Sequence, residues 1–218
     1  MLLHMLFGDM PDGVFVDVGS VDGFSFSNTY FFERNFNWTG VCIEPNNASL
    51  AALQRVRSRA AVYNACVSNV TAREDFLQCT GYTRMLSGLV SSMSHEHHAR
   101  IHREINLHGG ASQIVEVEVL RLADIFAARG MTHIDLLSID TEGAELQVLQ
   151  GIDWDRVHIS VIILEMLNPA DAHAARVKSL LSSRGFSERA YVCQDAVFTH
   201  SSFEAAAARS PSCIRALE

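Results

Sequence analysis

Lysine is nearly absent from this sequence. Lys178 is the only lysine among the 218 residues, and no glycine-rich stretch precedes it. A P-loop needs a lysine directly after its glycines, so the sequence excludes that class of nucleotide hydrolase. Schiff-base chemistry would depend on Lys178, which lies in a polar helical stretch, and is disfavoured. The net charge of -8 argues against a strongly basic nucleic-acid-binding surface, so we predict no nucleic-acid partner.

Paired cysteines and long apolar runs are missing as well. The five cysteines include no C-x-x-C pair, and we predict free thiols in a reducing compartment. No run reaches the roughly 18–20 apolar residues that span a bilayer, and residues 1–10 lack the basic start of a signal peptide. We therefore predict a cytoplasmic protein with no membrane partner. The cysteines are Cys42, Cys66, Cys79, Cys193 and Cys213.

The residues that are present suit a folded domain. Hydrophobic residues make up 48% of the chain and charged residues 19%, which supplies a sizeable core and argues against disorder. The length fits one domain over residues 1–218.

Short apolar runs alternate with segments of helical periodicity along most of the chain. This alternation predicts an α/β fold with a mostly parallel, twisted sheet and helices on both faces. Strands are predicted over 14–19, 39–43, 60–67, 73–79, 114–120, 134–139 and 161–164, helices over 26–36, 47–57, 122–128, 144–150 and 170–183, and a closing hairpin over 191–198.

Residues 80–112 interrupt the alternation. They are rich in serine, glycine and histidine, and we predict an inserted lid with one helix over 94–106. Five of the ten histidines lie here, with His98 and His102 one helical turn apart. A solvated helix face, a substrate-binding or base-supplying surface and a metal pair all remain open for this cluster.

The residues that follow the strands form the candidate site, because ligands of parallel sheets bind beyond the carboxyl ends of the strands. Asp17–Gly23 is a turn with two glycines and two aspartates. It lacks the G-x-G-x-x-G pattern, and its acids would repel a diphosphate. Glu44 ends the second strand, where a carboxylate can accept hydrogen bonds from a ribose diol. Together the two positions indicate a nucleoside-like ligand without phosphates, such as S-adenosyl-L-methionine.

A third motif gives the sequence a specific resemblance to a known family. Asp140-Thr141-Glu142-Gly143-Ala144-Glu145 follows a buried strand, and together with the Asp17–Gly23 turn and Glu44-Pro45-Asn46 it resembles the FkbM family of S-adenosylmethionine-dependent methyltransferases. The resemblance runs over roughly residues 13–200. It implies a Rossmann-like class I methyltransferase that methylates mostly hydroxyl oxygens of sugars or natural products. Ser20-Val21 departs from the Ala-Asn that the family more often has in this turn.

The resemblance also implies positions for the cofactor S-adenosyl-L-methionine. Its methionine end would lie near the glycine turn, its ribose near Glu44, and its adenine near the end of the third strand. Asp140 would lie where the reactive methyl group projects. The implied cofactor-binding residues are Asp17, Gly19, Ser20, Asp22, Gly23, Glu44, Asn46, Cys66, Val67, Ser68 and Asp140.

Methylation of a hydroxyl needs a group that removes its proton. The candidate catalytic residues are Asp140, Glu142 and the lid histidines His95 and His98. A divalent metal bound by Asp140 with Glu142 is an alternative that we do not predict. The expected partner is a small-molecule acceptor. An N- or carboxyl-methyltransferase, and a non-catalytic S-adenosylmethionine-binding module, remain alternatives.

Overall fold

The protein's structure is a computed structural model that describes residues 2–203; Cys213 lies outside them. Seven α-helices, eleven strands and one 3-10 helix (Gly81–Leu86) occur in this part of the chain. The helices are α1 (Leu2–Phe7), α2 (Tyr30–Phe36), α3 (Asn47–Val56), α4 (His95–His108), α5 (Leu122–Arg129), α6 (Glu145–Gln150) and α7 (Ala172–Ser183). The strands are β1 (Val14–Val18), β2 (Thr39–Ile43), β3 (Ala60–Tyr63), β4 (Cys66–Val67), β5 (Ala72–Cys79), β6 (Gly88–Leu89), β7 (Ser112–Leu120), β8 (His133–Ile139), β9 (His158–Glu165), β10 (Phe186–Val192) and β11 (Asp195–His200).

A seven-stranded sheet forms the centre of the molecule, in the order β10-β11-β9-β8-β1-β2-β3. Its strands from β3 to β9 are parallel, and β11 runs antiparallel to β9. After β1, the chain adds β2 and β3 on one side of it. It later adds β8, β9, β11 and β10 on the other side. The switch point therefore lies between β1 and β8, where ligands of such sheets bind.

Apolar side chains that alternate along the strands fill both faces of this sheet, as the α/β pattern predicts. One face packs Val16, Leu137 and Ile162 against α5, α6 and α7. The opposite face packs Phe15, Cys42 and Ile163 against α1, α2 and α3. The predicted α/β class with helices on both faces is confirmed.

A second sheet contains the strands that flank the inserted segment, in the order β4-β7-β5-β6. β5 and β7 pair antiparallel along their length, from Ala72 opposite Val119 to Cys79 opposite Ser112. Residues 80–111 thus leave and re-enter at adjacent points of one hairpin. They contain the 3-10 helix, β6 and α4, in the segment predicted as a lid.

Two predicted elements differ in the structure, and one helix was not predicted. The strand over 60–67 is divided between β3 and β4, which belong to different sheets, because the chain turns at Asn64 and Ala65. The first helix begins at Tyr30 instead of 26, since Phe26 has a positive φ of 57° that a helix does not allow. Helix α1 was not predicted.

No helix within residues 2–203 is long and apolar enough to cross a bilayer.

Candidate active site

Two neighbouring cavities lie at the switch point of the central sheet. The apolar cavity extends from the glycine turn towards β4 and the inserted segment, and encloses about 550 Å³. The acidic cavity lies on the other side of the turn, beneath α4 and the β10-β11 hairpin, and encloses about 1240 Å³. Gly19, Val21, Met85 and Asp140 line both, so the two cavities meet at the ends of β1 and β8.

The apolar cavity has the character of a pocket for a flat, weakly polar group. Its lining is mostly apolar with a few polar groups, which is typical of small-molecule pockets. Ile43 supplies one part of the wall from the end of β2 in the central sheet, and the second sheet supplies another through Cys66, Val67, Phe76 and Leu89. A planar base can therefore stack between the two sheets.

Glu44 is the buried carboxylate of the apolar cavity. Its Oε2 accepts a hydrogen bond from the Val21 N–H (2.7 Å) and its Oε1 accepts one from the Asn46 N–H (2.7 Å). Burial raises the pKa of Glu44 to about 7, although these two N–H groups lower it. Because a carboxylate has about four acceptor positions, two remain for hydroxyl groups of a ligand.

Gly19 allows the close approach of β1 and β8 at which the cavities meet. Its φ is +84°, and a Cβ on it would lie 1.8 Å from the carbonyl oxygen of Asp140. The Gly19 N–H donates to Ile43 O (3.0 Å), and the Asp140 N–H donates to Val18 O (2.9 Å), so both backbones are fixed. Only glycine fits such a contact.

A buried arginine holds the loop that follows the glycine turn. Arg57 donates from Nε to Glu33 Oε2 (2.5 Å), and its guanidinium also donates to the Gly23 carbonyl (3.1 Å) and to Thr29 Oγ1 (2.6 Å). Asp17 lies 3.5 Å from the same guanidinium. The arginine thus compensates two buried carboxylates and fixes the loop over 20–29.

The acidic cavity brings three carboxylates together from the ends of two strands, β8 and β9. Oxygen atoms of Asp140, Glu142 and Glu165 all lie within 4.8 Å of one another, close enough to share one divalent cation. Enclosure raises the pKa of all three, with a further contribution from their mutual repulsion: well above the ordinary value for Asp140, and to about 8 for Glu142 and Glu165. The cavity therefore holds protons that a solvated acid would release.

His97 is the histidine of the inserted helix that faces this cluster. Its Nε2 lies 2.8 Å from the Leu86 carbonyl, which can only accept, so Nε2 carries a proton. Its Nδ1 lies 3.3 Å from Oε2 of Glu142, whose side chain is 7% exposed. His95 is exposed and His98 half-buried on the same helix, and neither lines the two cavities within the described residues.

The sequence-predicted residues divide into two groups. Eight line the cavities: Asp17, Gly19, Ser20, Glu44, Cys66, Val67, Asp140 and Glu142. Four predicted cofactor-binding residues, Asp22, Gly23, Asn46 and Ser68, do not line them in the part of the chain described here.

Each of these four has a structural environment of its own. Asp22 accepts from the N–H groups of the turn after it and pairs with Arg84 (2.7 Å). Gly23 packs against Arg57. Asn46 caps α3 through Ala48 and donates to the second sheet. Ser68 donates its N–H to Leu120 O.

Sequence reasoning missed several residues of the two cavities. Phe76, Met85 and Leu89 come from the second sheet and the inserted segment, and Arg100 and Asp195 come from α4 and β11. These positions are separated along the chain and share no motif. His97 is distinguished from the neighbouring histidines only by its burial. It lies four residues before Ile101, so helical periodicity places it on the same face as that apolar residue, and this is the signal that could have identified it.

Comparison with known proteins gives a family for this arrangement. The model of the methyltransferase FkbM domain matches residues 17–188. Methyltransferase sdnD of Sordaria araneosa is 36% identical over 89 residues, which cover 36% of this chain and 33% of that protein. The 31-O-demethyl-FK506 methyltransferase FkbM of Streptomyces tacrolimicus is 35% identical over 98 residues, covering 44% and 36%. The matched stretches span about a third of each of these relatives.

A solved structure supports the same fold. The methyltransferase FkbM from Methylobacillus flagellatus KT superimposes with a TM-score of 0.52 at 16% identity, over 88% of this chain and 44% of that one. At this level of identity the likeness concerns the fold alone.

Proposed function

The chain belongs to the methyltransferase FkbM family, and from that membership and its two adjoining cavities we propose that it transfers a methyl group from S-adenosyl-L-methionine to a hydroxyl oxygen of a small-molecule acceptor. The observation that carries the proposal is the junction at Gly19 and Asp140, where a mostly apolar pocket opens beside an acidic one. A nucleoside and a methyl acceptor need two adjoining spaces of this kind.

The residues of the apolar cavity fit the cofactor. Glu44 offers the free acceptor positions that a ribose diol requires, and Cys66, Val67 and Phe76 offer apolar surface for the adenine. Gly19 leaves the space beside Asp140 that a side chain would fill. When bound, S-adenosylmethionine would supply an electrophilic methyl group on a sulfonium.

Asp140 is our candidate for the group that accepts the acceptor's proton. It directly follows β8 and lines both cavities, so its carboxylate can orient a hydroxyl that enters the acidic cavity. Desolvation by the surrounding protein and the nearby carboxylates raise its pKa, so its ionised form is a stronger base than a solvated aspartate. Glu142 and Glu165 raise the basicity of the same site. The relative from Streptomyces tacrolimicus is named as a methyltransferase of 31-O-demethyl-FK506, and its methylation of an oxygen supports a hydroxyl acceptor here.

Replacing Asp140 by Asn tests the proposal. Asp140→Asn keeps the shape of the side chain and removes the base, so we expect methyl transfer to fall by about 10²-fold or more, while the affinity for S-adenosylhomocysteine changes little. Asp153→Asn, at an exposed position, is the control. The assay measures S-adenosylhomocysteine release with a panel of hydroxylated, amine and carboxylate acceptors.

Several outcomes would contradict parts of the proposal. Normal turnover by Asp140→Asn would remove Asp140 as the base. Turnover only on amines or carboxylates would replace the hydroxyl acceptor. Cofactor binding without turnover on any acceptor would favour a binding module. Activity that chelator removes and Mg²⁺ restores would assign the three carboxylates to a cation.

A further inference from the structure

A third space, which we call the side cavity, lies next to the acidic cavity. It is formed between α1, α2 and the end of the β10-β11 hairpin, and it encloses about 990 Å³. Its lining is largely apolar and includes Leu2, Leu3, Phe31, Phe32, Ile163 and Val192. Two of these side chains remain open to solvent: Phe31 is 44% exposed and Val192 is 48% exposed.

The side cavity adjoins the candidate active site. Ser27, Asn28, Cys193 and Asp195 line both it and the acidic cavity. These mostly polar residues form a junction between the carboxylates around Asp140 and the apolar surface around Phe31. A ligand that passes the junction therefore meets acidic groups at one end and apolar groups at the other.

We infer that the methyl acceptor is amphiphilic, with its hydroxyl end in the acidic cavity and an apolar body in the side cavity. This inference rests on the proposed function and names the acceptor class that it leaves open. Exposed apolar side chains that border a polar cleft are typical of ligand-binding grooves. A small polar acceptor would contact only the acidic cavity, whereas an apolar extension would also remove Phe31 and Val192 from water.

Alkyl β-glucosides of different chain length provide the probe, because they vary only in the apolar part. Their affinity is measured by calorimetry for protein saturated with S-adenosylhomocysteine. Each methylene that becomes fully buried should strengthen binding about fourfold. Hexyl β-glucoside should therefore bind at least about 30-fold more tightly than methyl β-glucoside, if half of its five additional methylenes are buried.

Two variants connect this chain-length effect to the side cavity. Phe31→Ala and Val192→Ser should each reduce the hexyl-to-methyl affinity ratio by about fivefold or more, on the scale of one to two buried methylenes, without changing the affinity for S-adenosylhomocysteine. Leu107→Ala is the matched control, because Leu107 is also an apolar helical residue, 70% exposed, and lines none of the three cavities within residues 2–203. A melting temperature close to that of the unchanged protein shows that each variant is folded.

The inference would be overturned by equal affinity for the two glucosides, by binding of neither, or by the same ratio in both cavity variants as in Leu107→Ala. Failure to bind S-adenosylhomocysteine at all would instead overturn the proposed function itself. The two failures are therefore measured in separate steps of one experiment.

Discussion

Replacing Gly19 by alanine should damage the candidate site more than its small size suggests. Two separate costs arise at this position. The φ of +84° is a left-handed conformation, which costs an L-residue about 1–2 kcal/mol. The added Cβ would also lie 1.8 Å from the Asp140 carbonyl oxygen, which is a backbone atom and cannot rotate away.

The second cost follows from how the two strands are held. Relieving the contact requires β1 and β8 to separate by more than about 1 Å, since carbon and oxygen normally approach no closer than roughly 3 Å. The hydrogen bond from Asp140 N to Val18 O (2.9 Å) would then be weakened, at a cost of about 1 kcal/mol. Together with the dihedral cost, we expect Gly19→Ala to destabilise the protein by about 2–3 kcal/mol.

Gly130→Ala separates the two costs. Gly130 also has a positive φ, +64°, but nothing lies within 4 Å of the position that its Cβ would occupy. This control should lose only the dihedral share, about 1–2 kcal/mol. Urea unfolding gives the stabilities, and calorimetry with S-adenosylhomocysteine should show an affinity loss of about tenfold or more for Gly19→Ala alone. Equal destabilisation in the two variants, or unchanged affinity in Gly19→Ala, would refute the steric argument.

Two further predictions concern the buried carboxylates. Glu44→Gln should weaken S-adenosylhomocysteine binding by about 1–3 kcal/mol, because Val21 and Asn46 donate to different oxygens of Glu44 and glutamine keeps only one acceptor oxygen. Calorimetry checks this against the exposed control Glu118→Gln. Equal affinities would remove Glu44 from the cofactor pocket. Glu142 has its pKa raised to about 8 from an ordinary 4.5, so the folded state holds a proton that the unfolded state releases, and stability should fall as the pH rises between these values. In urea unfolding measured from pH 5 to 9, Glu142→Gln should make stability fall less steeply with pH. Part of the decline should remain, because Asp140 and Glu165 also have raised pKa values. An unchanged slope would show that Glu142 is ionised throughout this range.

The central sheet was predictable because its buried strands are short runs of mostly apolar residues. The run before Asp140 and the run before Gly19 are apolar on both faces, and a parallel sheet covered by helices is what such runs predict. The end of the first strand and Glu44 were found by the same reasoning, since the edge of a parallel sheet collects the residues that follow its strands.

Other parts of the site depend on contacts that the sequence does not display. Asp22 and Asn46 are polar residues at a motif, and the sequence cannot tell a ligand-binding side chain from one that caps a turn or a helix. Their partners, Arg84 and the second sheet, lie more than thirty residues further along the chain. The division of 60–67 between two sheets likewise depends on tertiary packing, because both halves are equally suited to a strand.

Because β5 and β7 pair along their length, the inserted segment between them could be replaced as a unit. Thr80 donates its N–H to Ala111 O (2.9 Å), so both ends of residues 81–110 emerge from one closed pair of strands. A graft between these two points would leave the register of the central sheet unchanged. On the proposed function, we expect replacement of this loop to change the choice of acceptor, provided that the new loop supplies the wall of the apolar cavity now made by Met85 and Leu89. Met85 lines both the apolar and the acidic cavity, so a change of the inserted segment at this residue would alter both cavities at once.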